Sequence, residues 1–439
     1  MCPLSGGYVL SRQSAEEGRD DTSAQNERRF EKEKMKFNRL IPSSVLLVLV
    51  LVLVPGPVSA VNYGYTYHSP VSGIPAQPGP FGIAFDSDNL CMYVADSSGY
   101  VSVIGGSSTN ICGPHYQKIT DIPLLGCQSG SYTPSAIAYD SHNHELYVGC
   151  YNFNANPSSL VEVICGSQTI CAPMNGIICS GIPLPNGDIV SAIAFDPNTN
   201  NVYIATNSAS VDVLSDSGCG PAIWMPCSVV LLTNCVISLA STCCGGQTLG
   251  AAYDQHNHLL YVATCCSTSG SQSYAINDVT NTVVATICLR GPFPPCVYTG
   301  SSYPAAVAID TDAHEVYITD ENANTVYYFP DTNPPNPLLV GGETGQLHGL
   351  IGAAYDSANH RVYVTNFNPS PYTVSVIFNH AVVGTVMGVI CGPVTVGPSP
   401  YYLASDPDDH SIYVANHGGT GTVTIFEPIN PTPPTTCTF

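Results

Sequence analysis

The sequence predicts an all-β fold, a seven-bladed β-propeller with four antiparallel strands in each blade. Two observations lead to this prediction: a short unit that recurs seven times, and a composition that disfavours helices. After residue 60 the chain is dominated by Val, Thr, Ser, Tyr, Asn, Gly and Pro, which are typical of strands and turns. Since 44% of the residues are hydrophobic and only 10% are charged, a disordered chain is excluded.

The repeated unit is a segment in which Ala, Asp and Tyr keep fixed positions. In all seven units Ala lies two residues before Asp, and Tyr lies seven residues after it. Successive tyrosines are 46 to 58 residues apart, a period that suits one propeller blade. The recurring pairs are Asp86 and Tyr93, Asp140 and Tyr147, Asp196 and Tyr203, Asp254 and Tyr261, Asp310 and Tyr317, Asp356 and Tyr363, and Asp406 and Tyr413.

Each part of the unit has an expected place in a blade. The apolar residues before Asp predict the innermost strand, buried on both faces. Asp is expected to open a tight turn by accepting backbone N–H groups, and Tyr begins the second strand. In the sixth unit, residues 372–378 predict the third strand and residues 381–387 the fourth. The recurring Ala is expected to fit the crowded propeller axis, and the recurring Tyr to fill the gap between blades.

The last unit is one strand short of a blade. After Tyr413 the chain offers one further clear strand, over residues 422–426. Residues 63–71, before the first repeat, are expected to supply the missing strand and close the ring, which would remove exposed sheet edges. The propeller is thus expected over residues 61–427, followed by a Pro/Thr-rich C-terminal tail over residues 428–439.

The first 60 residues have the pattern of a leader. Residues 1–34 form a polar extension, and Met35 is a candidate for the true start of translation. Residues 35–60 contain a basic segment, an apolar run from Val45 to Val54 and small residues up to Ala60, as in a secretory signal peptide. The alternative is a retained membrane anchor, although the run is short for a membrane span. We expect a secreted or cell-surface protein with no stable membrane span after cleavage.

Without the leader, the chain is strongly acidic. Three basic residues, Lys118, Arg290 and Arg361, face 25 acidic residues, for a formal charge of -22. Such a surface repels nucleic acid and anionic lipid, so nucleic acid is not an expected partner. Because free carboxyl groups have pKa values of about 4, an acidic medium would remove most of this charge. We therefore hold it as a hypothesis that the protein is adapted to an acidic habitat.

The cysteines point to the same compartment. Of the 19 cysteines, 18 follow the leader, and an even number behind a signal peptide indicates disulfides. Cys437 in the tail is expected to pair with Cys91 or Cys391. Three loops are expected to be bracketed by cysteine pairs, namely Cys112 with Cys127, Cys219 with Cys227, and Cys288 with Cys296.

A motif in the sixth unit points to a known family. Residues Tyr363-Val364-Thr365-Asn366 are followed in the last unit by the variant Tyr413-Val414-Ala415-Asn416. On this motif the chain resembles the YVTN family of β-propeller repeats, found in archaeal surface-layer and secreted bacterial proteins. The resemblance covers roughly residues 62–427, and it implies seven blades and an extracellular or cell-surface setting.

One group of candidate binding residues follows each Tyr-Val-x segment. These residues are expected at the mouth of the axial channel, and they are polar but mixed in type. The group consists of Asp96, Cys150, Thr206, Thr264, Asp320, Asn366 and Asn416.

A second candidate is the loop between Cys219 and Cys227. It carries the chain's only Trp, and a disulfide-braced loop that presents aromatic and aliphatic side chains is a plausible contact surface. The alternative is that the Trp covers the blade beneath it. The candidate contact residues are Ile223, Trp224 and Met225.

The turns after the recurring Asp contain candidate metal ligands. Five units place a histidine at one position, at His144, His258, His314, His360 and His410. Blade-related positions away from the axis are too far apart to share one ion, so these histidines are interpreted as turn residues. No cofactor is expected, although calcium, which favours oxygen ligands, is the alternative at the Asp-x-Asp pairs. Those pairs are Asp86 with Asp88, Asp310 with Asp312, and Asp406 with Asp408.

These observations favour a secreted, non-catalytic propeller with a role in the cell envelope or in adhesion. Its partner would be a protein or a glycan at the cell surface. The sequence contains no G-x-S-x-G, H-E-x-x-H or P-loop motif, which are common signatures of catalysis. The alternative is an enzyme analogous to propeller lactonases or amine-oxidising propeller subunits. Such an enzyme would need convergent acids, bases or a metal at the channel mouth.

Overall fold

A computed structural model describes residues 65–106, 112–127, 132–155, 157–166, 176–184, 189–215, 230–231, 236–239, 247–265, 272–289, 302–332, 341–343, 347–368, 370–378 and 390–429. These residues belong to one compact unit, Val61–Phe439. They form strands and turns, and none of them lies in a helix that could cross a membrane. The expected leader, residues 1–60, and the tail from residue 430 lie outside the described residues.

The first four blades follow one another along the chain. Two short strands come before them, β1 (Tyr65–Tyr67) and β2 (Ile74–Pro75). Blade 1 contains β3 (Pro80–Asp86), β4 (Cys91–Asp96), β5 (Tyr100–Gly105) and β6 (Lys118–Pro123). Blade 2 contains β7 (Thr133–Asp140), β8 (Glu145–Tyr151), β9 (Ser159–Cys165) and β10 (Ile177–Pro183). Blade 3 contains β11 (Val190–Asp196), β12 (Asn201–Thr206), β13 (Ser210–Ser215), β14 (Val230–Leu231) and β15 (Ile237–Ser238). Blade 4 contains β16 (Gln247–Asp254), β17 (Leu259–Cys265), β18 (Gln272–Asn277) and β19 (Thr282–Cys288).

Three further blades complete the ring. Blade 5 contains β20 (Pro304–Asp310), β21 (Glu315–Asp320), β22 (Thr325–Pro330) and β23 (Gly341–Glu343). Blade 6 contains β24 (Leu350–Asp356), β25 (Arg361–Asn366), β26 (Thr373–Phe378) and β27 (Ile390–Thr395). Blade 7 contains β28 (Pro400–Asp406), β29 (Ser411–Asn416) and β30 (Thr422–Pro428). The prediction of seven antiparallel four-stranded blades is confirmed. In blade 3, β14 and β15 pair with opposite ends of β13 and together take the fourth place, and in blade 7 β1 and β2 pair with β30.

The edge of blade 7 pairs with the start of the propeller. Strand β1 runs antiparallel to β30, with Tyr65 opposite Pro428 and Tyr67 opposite Phe426, and β2 also pairs with β30. In blade 6, the strand described beside β26 is β27, whereas the fourth strand expected over residues 381–387 lies outside the described residues.

The turn after the innermost strand explains why Asp recurs. In blade 1, Asp86 Oδ1 accepts hydrogen bonds from the backbone N–H groups of Asp88 at 3.0 Å and Asn89 at 3.3 Å. The residue four positions after Asp has a positive φ in every blade, and His and Asn tolerate this left-handed conformation better than most residues. The seven positive-φ residues are Leu90, His144, Asn200, His258, His314, His360 and His410. The histidine repeat is therefore a backbone feature of the turn.

Burial differs between the first two strands of a blade, contrary to expectation. In blade 1 the second strand, β4, is fully buried, whereas the innermost strand, β3, alternates between buried and half-exposed residues. The innermost strands contact one another around the ring, and β28 of blade 7 contacts β3 of blade 1. They line the axial channel, which leaves part of each strand accessible.

The recurring Tyr and Ala lie close to each other across the first strand pair. Ala84 is opposite Tyr93 in the register of β3 and β4, and both belong to one buried cluster. Two of the tyrosine hydroxyls reach the next blade, since Tyr413 Oη donates to the Gly105 carbonyl oxygen at 3.4 Å and Tyr203 Oη to the Asp278 carbonyl oxygen at 3.3 Å. The rings of all seven pack against side chains of the next blade. These tyrosines therefore fill the space between blades.

The innermost strands of neighbouring blades approach each other most closely not at the recurring Ala but two residues earlier, four residues before Asp. A Cβ added to Gly250 would lie 2.7 Å from Ala306 Cα, and one added to Gly352 would lie 2.9 Å from Tyr402 Cα. Six blades carry Gly or Ala at this position, and blade 7 alone carries a large side chain. The seven residues are Gly82, Ala136, Ala192, Gly250, Ala306, Gly352 and Tyr402.

Two disulfides are described, and they differ from the expected pairing. Cys91 is bonded to Cys112 and Cys127 to Cys150, with Cα–Cα distances of 5.4 Å and 6.0 Å. The expected pair Cys112–Cys127 is therefore wrong, as is the option of Cys91 for Cys437. Each bond joins a strand residue, Cys91 at the start of β4 or Cys150 in β8, to a loop cysteine 21 or 23 residues away in sequence. Cys288 is disulfide-bonded, but Cys219, Cys227 and Cys296 lie outside the described residues.

Candidate channel-mouth site

The residues expected at the channel mouth are buried. Asp96, Asp320, Asn366 and Asn416 are each at most 2% exposed, as is Thr206. Their side chains bond within the blade or to the segment that enters it. We therefore do not include them in the candidate site.

The hydrogen bonds of two of these residues show what the buried side chains do. Asp96 Oδ2 accepts hydrogen bonds from Ser102 N at 3.2 Å and Ser102 Oγ at 2.7 Å, and burial raises the pKa of Asp96 to about 8. Asn366 Nδ2 donates to Ser375 Oγ at 2.8 Å, and Asn366 Oδ1 accepts from His348 N at 3.1 Å. These contacts tie the hairpin between the second and third strands to its surroundings.

The accessible ring lies one residue further along the chain. The residue that follows each buried position is half-exposed in all seven blades, because it lies at the end of the fully buried second strand or directly after it. The ring is made of Ser97, Tyr151, Asn207, Cys265, Glu321, Phe367 and His417.

A recurring backbone hydrogen bond positions this ring. The N–H of the ring residue donates to a carbonyl oxygen in the segment that leads into the innermost strand of the same blade. The distances are 3.0 Å from Asn207 to Ile189, 2.9 Å from Glu321 to Tyr303, and 2.9 Å from His417 to Ser399. Blades 1 and 6 have the same bond. The ring thus stands on a rigid scaffold at the end of the channel where the innermost strands begin.

Aromatic side chains gather on one side of this ring. The Phe81 and Tyr401 ring centroids are 4.4 Å apart, and His417 lies 5.2 Å from Phe81 and 5.1 Å from Tyr401. Phe367 packs against Tyr401 at 5.2 Å. All four are half-exposed, so blades 6, 7 and 1 present a continuous aromatic wall. We refer to this wall, together with Tyr151, Tyr303 and Glu321, as the aromatic mouth.

The mouth is asymmetric because the innermost strands carry different residue types near their starts. Phe81 and Tyr401 occupy the position five residues before Asp in blades 1 and 7, where blades 2 and 3 have Ser135 and Ser191. Ser135 is buried and its hydroxyl donates to the Val190 carbonyl oxygen at 2.6 Å, whereas Ser191 is half-exposed. A ligand at the mouth would meet aromatic faces on one side and small polar residues on the other.

Tyr402 lies across the channel below the aromatic mouth. Its hydroxyl, on blade 7, donates to the Leu249 carbonyl oxygen of blade 4 at 3.4 Å. Tyr402 and residues from all seven blades line a cavity of about 140 Å³. Since the other six blades carry Gly or Ala at this level, Tyr402 is the side chain that narrows the channel there.

The mouth has acidic character. The carboxyl group of Glu321 is half-exposed, and burial followed by the adjacent Asp320 raises its pKa. Burial, and then the Glu321 carboxylate and the Tyr151 hydroxyl, raises the pKa of Tyr401. Burial, followed by the Cys265 thiol and Glu321, also raises the pKa of Tyr303. The phenols of Tyr303 and Tyr401 are therefore neutral hydrogen-bonding groups near this carboxyl group.

Cys265 is the thiol in the accessible ring. It is free, and its Sγ lies 3.8 Å from the Ser302 carbonyl oxygen. Burial and then the nearby acids Asp320 and Glu321 raise the pKa of Cys265 to about 11. A thiol with a raised pKa is a weak nucleophile at neutral pH, which argues against covalent catalysis by this residue.

The opposite end of the channel contains the Asp-x-Asp turns. Asp312 Oδ2 accepts a hydrogen bond from Tyr355 Oη at 2.6 Å and lies 3.0 Å from His360 Nδ1, both on the next blade. Asp88 makes the same two contacts with Tyr139 and His144. These second acids therefore join neighbouring blades.

The first acid of each pair has a different task. Asp310 Oδ1 and Asp406 Oδ1 accept backbone N–H groups, from Asp312 at 3.0 Å and from Asp408 at 3.1 Å. Within the described ranges, no group of three or more His, Cys, Asp and Glu side chains is arranged to hold a metal ion. The expectation of no cofactor, with calcium as the alternative, stays a prediction.

The second candidate surface is not described. Ile223, Trp224 and Met225 lie outside the described residues, with the cysteines that bracket them. Its role as a contact loop remains a prediction.

The aromatic mouth was missed in the sequence because its residues do not repeat. Phe81, Tyr401, Phe367 and Tyr151 stand at fixed offsets from the recurring Asp, but each offset holds a different residue type from blade to blade. The accessible ring begins where the fully buried second strand ends, one residue after the positions that the sequence pattern indicated.

Comparisons with known proteins show the fold. No protein-family model matches the chain, and no curated protein matches it. Hydrazine synthase of Kuenenia stuttgartiensis is similar over 82% of this chain and 98% of its own, with a TM-score of 0.57 and 16% identity. The Cps50 (Swd1) β-propeller domain of Myceliophteria thermophila is similar over 82% of this chain and 99% of its own, with a TM-score of 0.55 and 10% identity. The chain is thus a β-propeller, a fold that serves many functions.

Proposed function

We propose that this protein is a secreted or cell-surface binding module that holds a glycan at the aromatic mouth. The observation that carries this proposal is the wall of Phe81, Phe367, Tyr401 and His417, whose half-exposed rings stand beside the channel. Aromatic faces pack well against the apolar faces of sugar rings, while phenol and carboxyl groups supply hydrogen bonds. A concave apolar site with a few convergent polar groups is the usual form of a ligand pocket.

The extracellular part of this proposal rests on the leader and on the cysteines. The basic, apolar and small-residue segments of residues 35–60 support secretion. The two described disulfides are typical of an oxidising compartment. We also propose that the chain is a divergent member of the YVTN repeat family, since its motif Tyr363–Asn366 forms most of the second strand of blade 6.

A second candidate function is catalysis at the same mouth. One observation favours it: Glu321 is a carboxyl group with a raised pKa among neutral phenols, as general acids often are. If Glu321 is the acid of a lactonase-like or amine-oxidising reaction, its replacement by Gln should abolish turnover of the substrate rather than weaken its binding.

The binding proposal is tested with an array of cell-surface glycans. Residues 61–439 should give saturable binding to a restricted set of glycans, and Tyr401→Ala should reduce that binding at least tenfold, as removal of a central aromatic contact usually does. Tyr355→Ala is the matched control, because it removes a half-exposed tyrosine at the opposite end of the channel. Equal binding by both variants, or no binding by the unmodified protein, would contradict the proposal.

A further inference from the structure

The charge of the molecule restricts the kind of glycan that fits. Residues 61–439 carry 25 acidic and three basic residues. Of the basic residues, Lys118 is 2.7 Å from Asp121, Arg361 is fully buried, and Arg290 lies outside the described residues. A surface of this kind attracts cations and repels anions over the range of the Debye length.

The aromatic mouth also carries negative charge. Glu321 is its acidic group, and no described side chain pairs with its carboxylate. The backbone N–H of Glu321 donates to Tyr303 at 2.9 Å, which fixes the residue in the accessible ring. No described Lys or Arg side chain belongs to the mouth, so the carboxylate is available to a positively charged ligand.

Aromatic rings around this carboxylate add to the preference for a cation. Tyr303 accepts the backbone N–H of Glu321, and after burial the charge of Glu321 contributes to the raised pKa of both Tyr303 and Tyr401. The faces of aromatic rings attract ammonium groups. A carboxylate beside several aromatic faces is therefore suited to an amine.

We propose that the glycan recognised at the aromatic mouth is a polymer of unacetylated amino sugars, which carries free amines. This proposal rests on the proposed function. Phe81 and Tyr401 stack on the sugar ring, and Glu321 pairs with its ammonium group. Acetylation of the amine would remove the charge and add bulk. A neutral glucan would keep the stacking and lose the ion pair.

The test compares three oligosaccharides of equal length by isothermal titration calorimetry. They are a glucosamine hexamer, its fully N-acetylated form and a glucose hexamer, in buffer at a pH that keeps the amines protonated and the Glu321 carboxyl group ionised. We expect the glucosamine hexamer to bind at least tenfold more tightly than the other two. Glu321→Gln should remove most of that advantage while changing the affinity for the N-acetylated hexamer less than twofold.

A second variant separates local recognition from general attraction. Asp408→Asn removes the same charge at the opposite end of the channel, and it should leave the tenfold preference intact. Equal loss in both variants would overturn the proposal, as would equal affinity for all three hexamers. Equal affinity would leave the proposed glycan binding standing, whereas no binding to any hexamer or to the array would contradict both.

Discussion

Individual residues in this protein act mainly at the boundaries between blades. Tyr363 is fully buried, its Oη accepts a hydrogen bond from Asn359 Nδ2 at 3.0 Å, and its ring lies 6.1 Å from that of Phe426 on blade 7. The equivalent tyrosines of the other blades are also buried. Each of them joins two sheets that share no strand pairing.

Replacing one of these tyrosines should therefore be costly. Tyr363→Ala should lower the free energy of unfolding by about 3–5 kcal/mol, because it leaves a cavity between blades. Tyr363→Phe should cost only about 1 kcal/mol, the usual contribution of one hydrogen bond. Urea denaturation monitored by circular dichroism measures both. Phe153→Ala, at a side chain that is 72% exposed, is the control and should change stability by less than about 0.5 kcal/mol.

Asp96 provides a pH-dependent prediction at the same scale. Burial raises the pKa of Asp96 to about 8, so the folded state favours the protonated acid relative to the unfolded chain. Its contribution to stability is full below pH of about 4 and is lost as the pH rises toward 8. Asp96→Asn, which keeps the shape without the charge, should match the unmodified protein at low pH and exceed its stability at pH 8. Equal stability of the two proteins at both pH values would contradict this assignment.

The residues of the repeat could be predicted from the sequence, whereas those of the mouth could not. The recurring Asp, Ala and Tyr could be identified because they have the same role in each blade. The residues of the mouth differ between blades, and those of the accessible ring lie one position beyond the last buried residue of the second strand. Asp96 and Ser97 illustrate this difference, since the first is buried and the second is half-exposed.

Among the elements of the fold, β1 pairs with β30 at the edge of blade 7. His68 Nε2 lies 3.1 Å from Glu427 Oε2, and the two rings of His68 and Tyr116 stack with centroids 4.2 Å apart. Tyr67 Oη donates to the Thr395 carbonyl oxygen of blade 6 at 2.9 Å. The segment around β1 thus contacts blades 6, 7 and 1.

Removal of this segment tests its role in the ring. A protein that begins at residue 76 should unfold at a lower temperature than one that begins at residue 61, by at least a few °C. Loss of β1 leaves β30 as an open edge, which should also promote association. Scanning calorimetry and light scattering over a range of concentrations measure the two effects. An unchanged melting temperature would show that the ring does not depend on this strand.

The disulfides are elements that the sequence could not assign. Spacing alone suggested Cys112 with Cys127, but the strands bring Cys91 beside Cys112 and Cys150 beside Cys127. Connectivity depends on which strands are neighbours, and that information lies in the tertiary structure. Loops between the strands vary in length from blade to blade, so they gave no repeat from which to infer it.

Peptide mapping checks the observed connectivity. Digestion without reduction should release one peptide pair joined through Cys91 and Cys112 and another through Cys127 and Cys150. The double variant Cys127→Ser/Cys150→Ser should lose about 2–4 kcal/mol of stability. A mapped bond between Cys112 and Cys127 would contradict the structure at this point.

At the scale of the whole molecule, buried acids make the propeller sensitive to pH. Burial raises the pKa of Asp86 to about 6 and also raises that of Glu162 and of Asp356. Burial and the neighbouring Asp254 raise the pKa of Asp331. All of these groups favour the folded state when protonated.

The stability of the protein should consequently decline as the pH rises. The contribution of Asp86 is present below pH of about 4 and is lost as the pH passes about 6, and that of Asp96 is lost by about pH 8. Urea titrations at a series of pH values should therefore give a higher midpoint near pH 5 than at pH 8. A midpoint that increases toward pH 8 would contradict the predicted loss of stability with rising pH, and with it the hypothesis of adaptation to an acidic habitat.

The place where the propeller holds its ligand can be seen in a crystal structure of residues 61–439 with the glucosamine hexamer. We expect a sugar ring stacked on Tyr401 and Phe81 at the aromatic mouth, with its amine directed to Glu321. A hexamer bound only at the Asp-turn end of the channel, or only on the cysteine-bearing loops, would show that the aromatic mouth is not the binding site.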